Sequence, residues 1–534
     1  MKVLLNALGF GVAGLAQALS IAALGSGRPL WWLQLLSMAV LVWQLDAMRT
    51  ARAGDPSGAR SGAAAEHDDR GRGTAVRRGA FHGWLFATSW LCGTFWWLFI
   101  SMHTYGGLAA PLSAIAVLAL ASALALYYAA ASACFVAFAP TGIGASSLFF
   151  AALWTLAELL RGSWFTGFPW GAGGYAHVDG PLAVYAPWLG VYGVGAIATA
   201  IATLASLALR RSRGRALLAP LGMALVLLCA PALIDVVRRG DGEDVSASRG
   251  RISLALLQGN IPQDEKFIPG SGIATALRWY AEQLQRPAAP LVITPETAVP
   301  LLPSQLPPGY LESIEARYAN GAQAAIVGLP LGNGSAYTNS VVGFLPGQGA
   351  AYRYDKHHLV PFGEFVPHMF RWFTELMNIP LGDFRSGSLA QAPFIWQGQR
   401  IAPNICYEDL FGDEIGAGFL DEANAPTVLL NVSNIAWFGD SIAIDQHLAI
   451  SRMRALEFQR PMVRATNTGA TVVIDHHGRV THALPRLTRG VLTAEVEGRG
   501  GNTPYATWVS RFGLWPLWLS ALAVIVAVVL RRRR

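Results

Sequence analysis

Eight stretches along the chain are apolar almost without interruption, near residues 3–24, 30–47, 81–103, 110–137, 144–160, 182–209, 216–236 and 512–530. A helix needs roughly 20 such residues to cross a bilayer, so the pattern predicts a multi-span α-helical membrane protein with eight transmembrane helices. The first stretch follows Lys2 as a signal peptide would, but its length and the second span close behind it read as an anchor. Between the last two stretches the pattern changes. Short β-like runs recur at Ile252–Leu257, Leu291–Thr294, Ala324–Gly328, Asn339–Phe344, Arg400–Ile405, Thr427–Asn431, Met462–Thr466 and Thr471–Ile474. Helix-like segments intervene near 272–285, 408–420 and 440–459. Strands alternating with helices predict an inserted soluble α/β domain built as a layered sandwich. The expected division is a membrane part over 1–238, the soluble domain over 239–508, and a last helix with an Arg tail over 509–534.

Charge orients this arrangement. Hydrophobic residues make up 53% of the 534 positions and charged residues only 14%, with a net charge of +7. Residues 49–80 hold seven Arg against four acids, 210–215 hold four Arg, and 531–534 are four Arg, so these segments carry +11 and the remainder −4. Basic residues gathered beside apolar spans follow the positive-inside rule. That places these segments and both termini in the cytoplasm, the α/β domain outside it, and nucleic acid among the excluded partners. Residues 49–80, rich in Gly, Ala, Arg and Asp, read as a flexible cytoplasmic loop. Glu158 lies near a span end, where a carboxylate is expected to snorkel to the interface.

Candidate chemistry begins with Cys406, the one cysteine outside the apolar spans, since Cys92, Cys134 and Cys229 fall within them. It ends the run Ile401–Cys406 and precedes Tyr407-Glu408-Asp409, which reads as a first helical turn. Glu296 ends Leu291–Glu296, and Lys356 follows Tyr352-Arg353-Tyr354-Asp355. Singly these are a turn acid, a solvated lysine and a small buried hydrophobe. Together, at the ends of apolar runs in an α/β domain, they make a set of complementary chemistry. A carboxylate takes a thiol proton, a helix N-terminus lowers the thiol pKa, and an ammonium stabilises an oxyanion. His357 and His358 have no partner at zinc spacing and read as structural.

Three motifs carry a resemblance. Thr294-Pro295-Glu296, the run from Asp355 through Lys356-His357-His358-Leu359-Val360-Pro361-Phe362-Gly363 to Glu364, and Asn404-Ile405-Cys406-Tyr407-Glu408 resemble the Glu–Lys–Cys signatures of the nitrilase superfamily. Gln258-Gly259-Asn260-Ile261-Pro262-Gln263, Asn434-Ile435-Ala436-Trp437-Phe438-Gly439-Asp440-Ser441, Arg452–Glu457, Arg464–Gly469 and Thr166–Trp170, set among membrane spans, are similar to the apolipoprotein N-acyltransferase family within it.

The resemblance implies an α-β-β-α nitrilase-like catalytic domain on the periplasmic side of a bacterial inner membrane, in a monomer. It implies acyl transfer from a phospholipid, phosphatidylethanolamine by expectation, to the α-amine of a diacylglyceryl-lipoprotein, with no cofactor and no metal. It also implies Cys406 as nucleophile, Glu296 as general base and Lys356 as oxyanion stabiliser. Glu364, Tyr407 and Glu408 then stand around them, and Phe267 and Trp437 meet substrate. Two departures stand out: Phe267 replaces the family's Trp, and Ile435 replaces its Asp. The loop 161–181, with Trp164, Phe165, Phe168, Trp170 and Tyr175, suits either a lipid entrance or interfacial anchoring. A membrane-tethered nitrilase-type amidase would use the same trio with water, though eight spans exceed what tethering needs. A transporter would need paired charges or broken helices at the midplane, and no such set is evident.

Overall fold

The computed structural model describes residues 2–50, 63–240, 246–333, 336–366 and 384–533. The chain forms two compact units, one of residues 1–96, 114–243 and 514–534, the other of residues 97–113 and 244–513.

The first unit is helical. Helices Lys2–Ile21, Trp31–Thr50 and Ala63–Phe95 pack on one another, and Ile143–Ser163 packs against both Ala186–Arg211 and Trp515–Arg533. Trp90, Tyr128 and Trp154 interlock at their centre, with Tyr128 4.6 Å from Trp154 and 5.0 Å from Trp90 between ring centroids. Gly14 lets the first helix lie directly on Phe86, whose carbonyl oxygen would be 2.2 Å from an added Cβ. The expected loop 49–80 is helical from Ala63 onward, and residues 51–62 lie outside the described residues. Its Ala-rich second half has helix-forming composition that its charge obscures.

Among the described residues, Ala110–Phe138, Ile143–Thr166 and Pro181–Arg211 are long and apolar enough to cross a membrane. Two bent pairs, Gly71–Phe95 with Leu98–Tyr105 and Pro504–Phe512 with Trp515–Arg531, raise that number to five if each is one span. The bend in the first pair is 61°, and residues beyond it, including the π-helix Ser101–Tyr105, join the second unit. Hydropathy alone reads 81–103 as one straight span because the kink costs no apolar residue.

Polar groups inside this unit pair with one another. Asp46 meets Arg49, Arg210 and Arg211 at 3.1, 3.2 and 2.5 Å. Glu158 does not snorkel: it is buried and accepts a hydrogen bond from Gly173 N at 2.8 Å. Arg161, one turn along, donates to Tyr128 Oη, Phe168 O and Trp170 O. Of the loop's aromatic side chains, Trp164 and Phe165 are exposed, whereas Trp170 and Tyr175 are buried.

The second unit holds two six-stranded sheets. The first runs β12-β1-β2-β3-β4-β5, from Gly490–Gly500, Ala247–Gln258, Leu291–Ile293, Ala324–Asn333, Ala336–Leu345 and Gly349–Asp355. The second runs β11-β10-β9-β8-β7-β6, from Val480–Ala483, Val472–Ile474, Met462–Thr466, Val428–Ser433, Gln399–Ile405 and Phe394–Trp396. The alternation of a pleated strand sorts β1 between two cores. Ile252, Leu254 and Leu256 face Ile401, Leu430 and Val463 between the sheets, while Ala255 and Leu257 pack with Tyr280 and Tyr318 from helices Gly272–Gln285 and Tyr310–Ala319. The result is a layered α/β sandwich, two sheets face to face with helices packed on the outer face of the first. β5, β6, β11 and β12 are strands that hydropathy does not mark, three of them exposed or short.

Candidate active site

Glu296 lies in the turn after β2, a central parallel strand between β1 and β3. Gly328 N donates to Thr294 Oγ1 at 2.9 Å, and a Cβ at Gly328 would come within 2.2 Å of Pro295 O. Only glycine lets β3 pass so close beneath the Glu296 turn. Lys356 directly follows β5, with its N–H donated to Asn339 O on β4 at 2.8 Å. Cys406 directly follows β7. Pro403 is tolerated in that strand because β6 pairs only with Gln399–Ile401, leaving β7 as an edge beyond it.

Three strand ends thus deliver the three residues, and hydrogen bonds lock them. The Lys356 ammonium, 1% exposed, donates to Glu364 Oε1 at 2.9 Å and to Glu296 Oε1 at 3.4 Å. Asn339 Nδ2 bridges the same two carboxylates, at 2.7 Å to Glu296 and 2.8 Å to Glu364. Asn434 N donates to Glu296 Oε2 at 2.7 Å, and Val360 N to Glu364 Oε2 at 2.9 Å. Burial works to raise the Glu296 carboxyl, but Lys356, Asn339, Lys266 and Asn434 N–H together hold it below its ordinary range. For Lys356, burial works downward, yet Glu364 and Glu296 keep the ammonium charged well above its usual value.

Cys406 adopts φ 54°, a left-handed conformation that costs a non-glycine residue roughly 1–2 kcal/mol. The chain there turns from β7 into the single 3-10 turn Cys406–Leu410. Glu408 fastens the turn at both ends, accepting from Ile405 N at 2.5 Å, His357 N at 2.6 Å, His358 N at 3.2 Å and Tyr354 Oη at 2.9 Å. Glu408 therefore ties the cysteine turn to the residues that follow Lys356. Behind the cysteine, His447 Nε2 and Cys406 O are 3.2 Å apart, and Arg464 Nη2 donates to His447 Nδ1 at 3.1 Å. Arg464 is itself paired with Asp409 at 2.9 Å. Burial and the Arg464 charge keep His447 neutral, so its proton sits on Nε2 and points at the Cys406 carbonyl.

The expected lowering of the thiol pKa does not occur. Burial first, and the Glu296 carboxylate second, push Cys406 up to about 12. The 3-10 turn and the six-residue helix Gly412–Ala417 after it are too short to supply a dipole that outweighs them. At rest the site therefore holds a protonated thiol and a charged carboxylate.

The remaining expected residues lie around this centre. Tyr407 is buried against Phe411 and His358, with ring centroids 5.3 and 5.6 Å away. Phe267 and Trp437 are 48% and 40% exposed. Trp437 meets Tyr105 edge-on at 6.1 Å, and Trp97 Nε1 donates to Gln446 Oε1 at 3.0 Å beside His447. Ile435 is buried, and the neighbouring Asn434 N–H, not a side chain at 435, contacts Glu296. His357 Nδ1 meets Gly387 O and His358 Nδ1 meets Glu414 Oε1, each at 2.8 Å. Sequence reading missed Lys266, Asn339, His447 and Arg464. Lys266 lies three residues beyond one quoted motif, Arg464 opens another and Asn339 opens a predicted strand, but no periodicity shows which way a polar side chain turns.

Comparison with known proteins agrees with both halves of the chain. Residues 69–204 match the apolipoprotein N-acyltransferase N-terminal domain, and residues 253–505 match the carbon-nitrogen hydrolase family. A protein of Verminephrobacter eiseniae named apolipoprotein N-acyltransferase is 56% identical, over 94% of this chain and 92% of its own. One of the same name from Ralstonia nicotianae is 43% identical, over 94% of this chain and 90% of its own. A solved CN-hydrolase superfamily protein from Xanthomonas campestris overlaps 50% of this chain and 96% of its own, at 20% identity and a TM-score of 0.36. Likeness at this level over nearly the full length, in both parts of the sequence, shows that the chain belongs to the apolipoprotein N-acyltransferase family.

Proposed function

We propose that the protein transfers a fatty acyl chain from a phospholipid, through a thioester on Cys406, to the α-amine of a lipoprotein's lipidated N-terminal cysteine. The observation that carries this reading is the buried set in which Lys356 spans Glu296 and Glu364 beside the left-handed Cys406 turn. As Cys406 Sγ attacks the ester carbonyl carbon, Glu296 takes the thiol proton. The acyl carbon–oxygen bond then breaks, and the departing lysophospholipid oxygen takes that proton from Glu296. In the second half the acceptor nitrogen attacks the thioester carbon, and Glu296 takes its proton. The carbon–sulfur bond breaks and Cys406 is protonated again. Both tetrahedral intermediates carry an oxyanion, stabilised by the Lys356 ammonium and the N–H groups of the Cys406–Leu410 turn.

Glu364, Tyr407 and Glu408 support this centre, while Phe267 and Trp437 meet the lipid chains. Phosphatidylethanolamine is the proposed donor, in a monomer of eight spans with the hydrolase-fold domain on the periplasmic face of the inner membrane. The domain division expected from sequence, at 238 and 508, belongs to the same proposal. The positive-inside distribution of Arg supports that orientation. Intact-protein mass spectrometry after incubation with phosphatidylethanolamine tests the mechanism. A hydroxylamine-labile acyl adduct on the native protein and none on Cys406→Ala is expected. N-acylation of a lipopeptide by Cys406→Ala at the native rate would overturn it.

A further inference from the structure

Residues 264–270 are exposed except for one, and that one is a lysine. Lys266 is 2% exposed, between Glu265 and the half-exposed apolar pair Phe267 and Ile268. Lysine is among the residues least often buried, and a buried ammonium is costly unless charge answers it. The backbone holds it inward: Lys266 N donates to Pro262 O at 2.9 Å, and Gln263 Oε1 accepts from Asn434 Nδ2 at 2.9 Å. Among the described residues its ammonium makes one hydrogen bond, to the main-chain oxygen of Glu296 at 3.3 Å. It also stands 5.8 Å from the Phe267 ring centroid. Two of its three donors therefore meet no acceptor among the described residues.

The charges around the thiol explain why a cation belongs there. Glu296 and Glu364 bring two carboxylates, and Lys356, paired with both, answers only one. Arg464 is offset by Asp409, and His447 is neutral. Glu408, pushed up to about 7 by burial, is enclosed by three main-chain N–H groups and Tyr354. Without Lys266 the Glu296–Glu364–Lys356 set would hold a net negative charge where a thiol must lose a proton and an oxyanion must form.

We infer that Lys266 is the second cation of this site, a positioning and charge-balancing residue that cancels the surplus carboxylate so that the Cys406 sulfur and the oxyanion can bear negative charge. The inference rests on the Cys406–Glu296 reading above. Its electrostatic partners are Glu296 and Cys406; burial lowers the ammonium to about 8, and those two groups act to keep it charged.

The experiment follows alkylation of Cys406 by iodoacetamide across pH in the full-length, detergent-purified protein. Peptide mapping reads Cys406 separately from Cys92, Cys134 and Cys229. Removing an opposite charge at close range moves a pKa by about one unit or more, so Lys266→Met should slow alkylation and acyl-enzyme formation roughly tenfold at fixed pH. Lys266→Arg should restore both to within a few-fold. Lys266→Met combined with Glu364→Gln, which balances the charge again, should return the alkylation profile toward that of Glu364→Gln alone. It also keeps the test open if Lys266→Met does not fold. An unmoved profile in folded Lys266→Met, or a double variant with no recovery, would overturn the inference. The Cys406–Glu296 reading fails separately, if Cys406→Ala still forms the acyl adduct.

Discussion

Asn339 offers the sharpest test of how the base is tuned, because one amide nitrogen donates to both carboxylates at 2.7 and 2.8 Å. Asn339→Leu keeps the side-chain shape and removes both donors. A hydrogen bond to a charged group contributes about 1.5–3 kcal/mol net. At 1.36 kcal/mol per pKa unit, losing the one to Glu296 should raise its pKa by about 1–2 units. In the native protein Glu296 is held below the ordinary carboxylate range, with Lys356 and Asn339 acting against burial. The acid limb of acyl-enzyme formation, where the base becomes protonated, should therefore shift upward by about 1–2 units in the variant. The main-chain bond from Lys356 N to Asn339 O survives the change, so Lys356 keeps its place. Stability follows the same sign. A carboxyl depressed in the folded state stabilises it above the unfolded pKa, and that contribution is lost as pH falls through the folded value. Asn339→Leu should thus be less stable near neutrality and lose less on acidification. Quenched-flow mass spectrometry of the thioester across pH reads the rate, and urea unfolding reads the stability. A folded Asn339→Leu protein whose acid limb coincides with the native one would refute the assignment of Glu296 as the titrating base.

Two further substitutions probe the cysteine turn. His447→Leu removes the donor to the Cys406 carbonyl and leaves Arg464 without its Nδ1 acceptor; kcat for lipopeptide acylation, expressed per site titrated by the acyl-enzyme burst so that unfolded protein is not counted, should fall about tenfold or more with KM for phospholipid little changed, and an unchanged per-site kcat would refute the role. Glu408→Gln replaces a carboxylate with one acceptor oxygen and an NH2 group that opposes either the Ile405 N–H or the His357 and His358 N–H groups. Denaturant unfolding should show a loss of about 1–3 kcal/mol, and an unchanged midpoint would mean that the turn is held by other contacts.

The chain's own pattern determined the class of protein and the candidate residues of its site. Apolar stretches mark helices because a bilayer or a core demands continuous hydrocarbon, and all eight expected strands in the soluble domain are present. Glu296 and Cys406 were legible as candidates because each closes an apolar run, whereas Lys356 follows the polar strand β5 and was legible through its motif, the run from Asp355 to Glu364. Local pattern could not say where a span bends at Phe95–Leu98, nor that residues 97–113 join the hydrolase-fold unit, since both depend on contacts made far along the chain. It equally left open that Lys266 turns inward while its neighbours face out, that Asn339 bridges two acids, and that His447 reaches the Cys406 carbonyl. The thiol is the clearest case. Its sequence neighbours suggested a lowered pKa, but burial and a carboxylate more than a hundred residues away raise it. Hydrophobicity and strand ends are properties of local sequence, whereas desolvation and charge are set by whatever tertiary packing brings near.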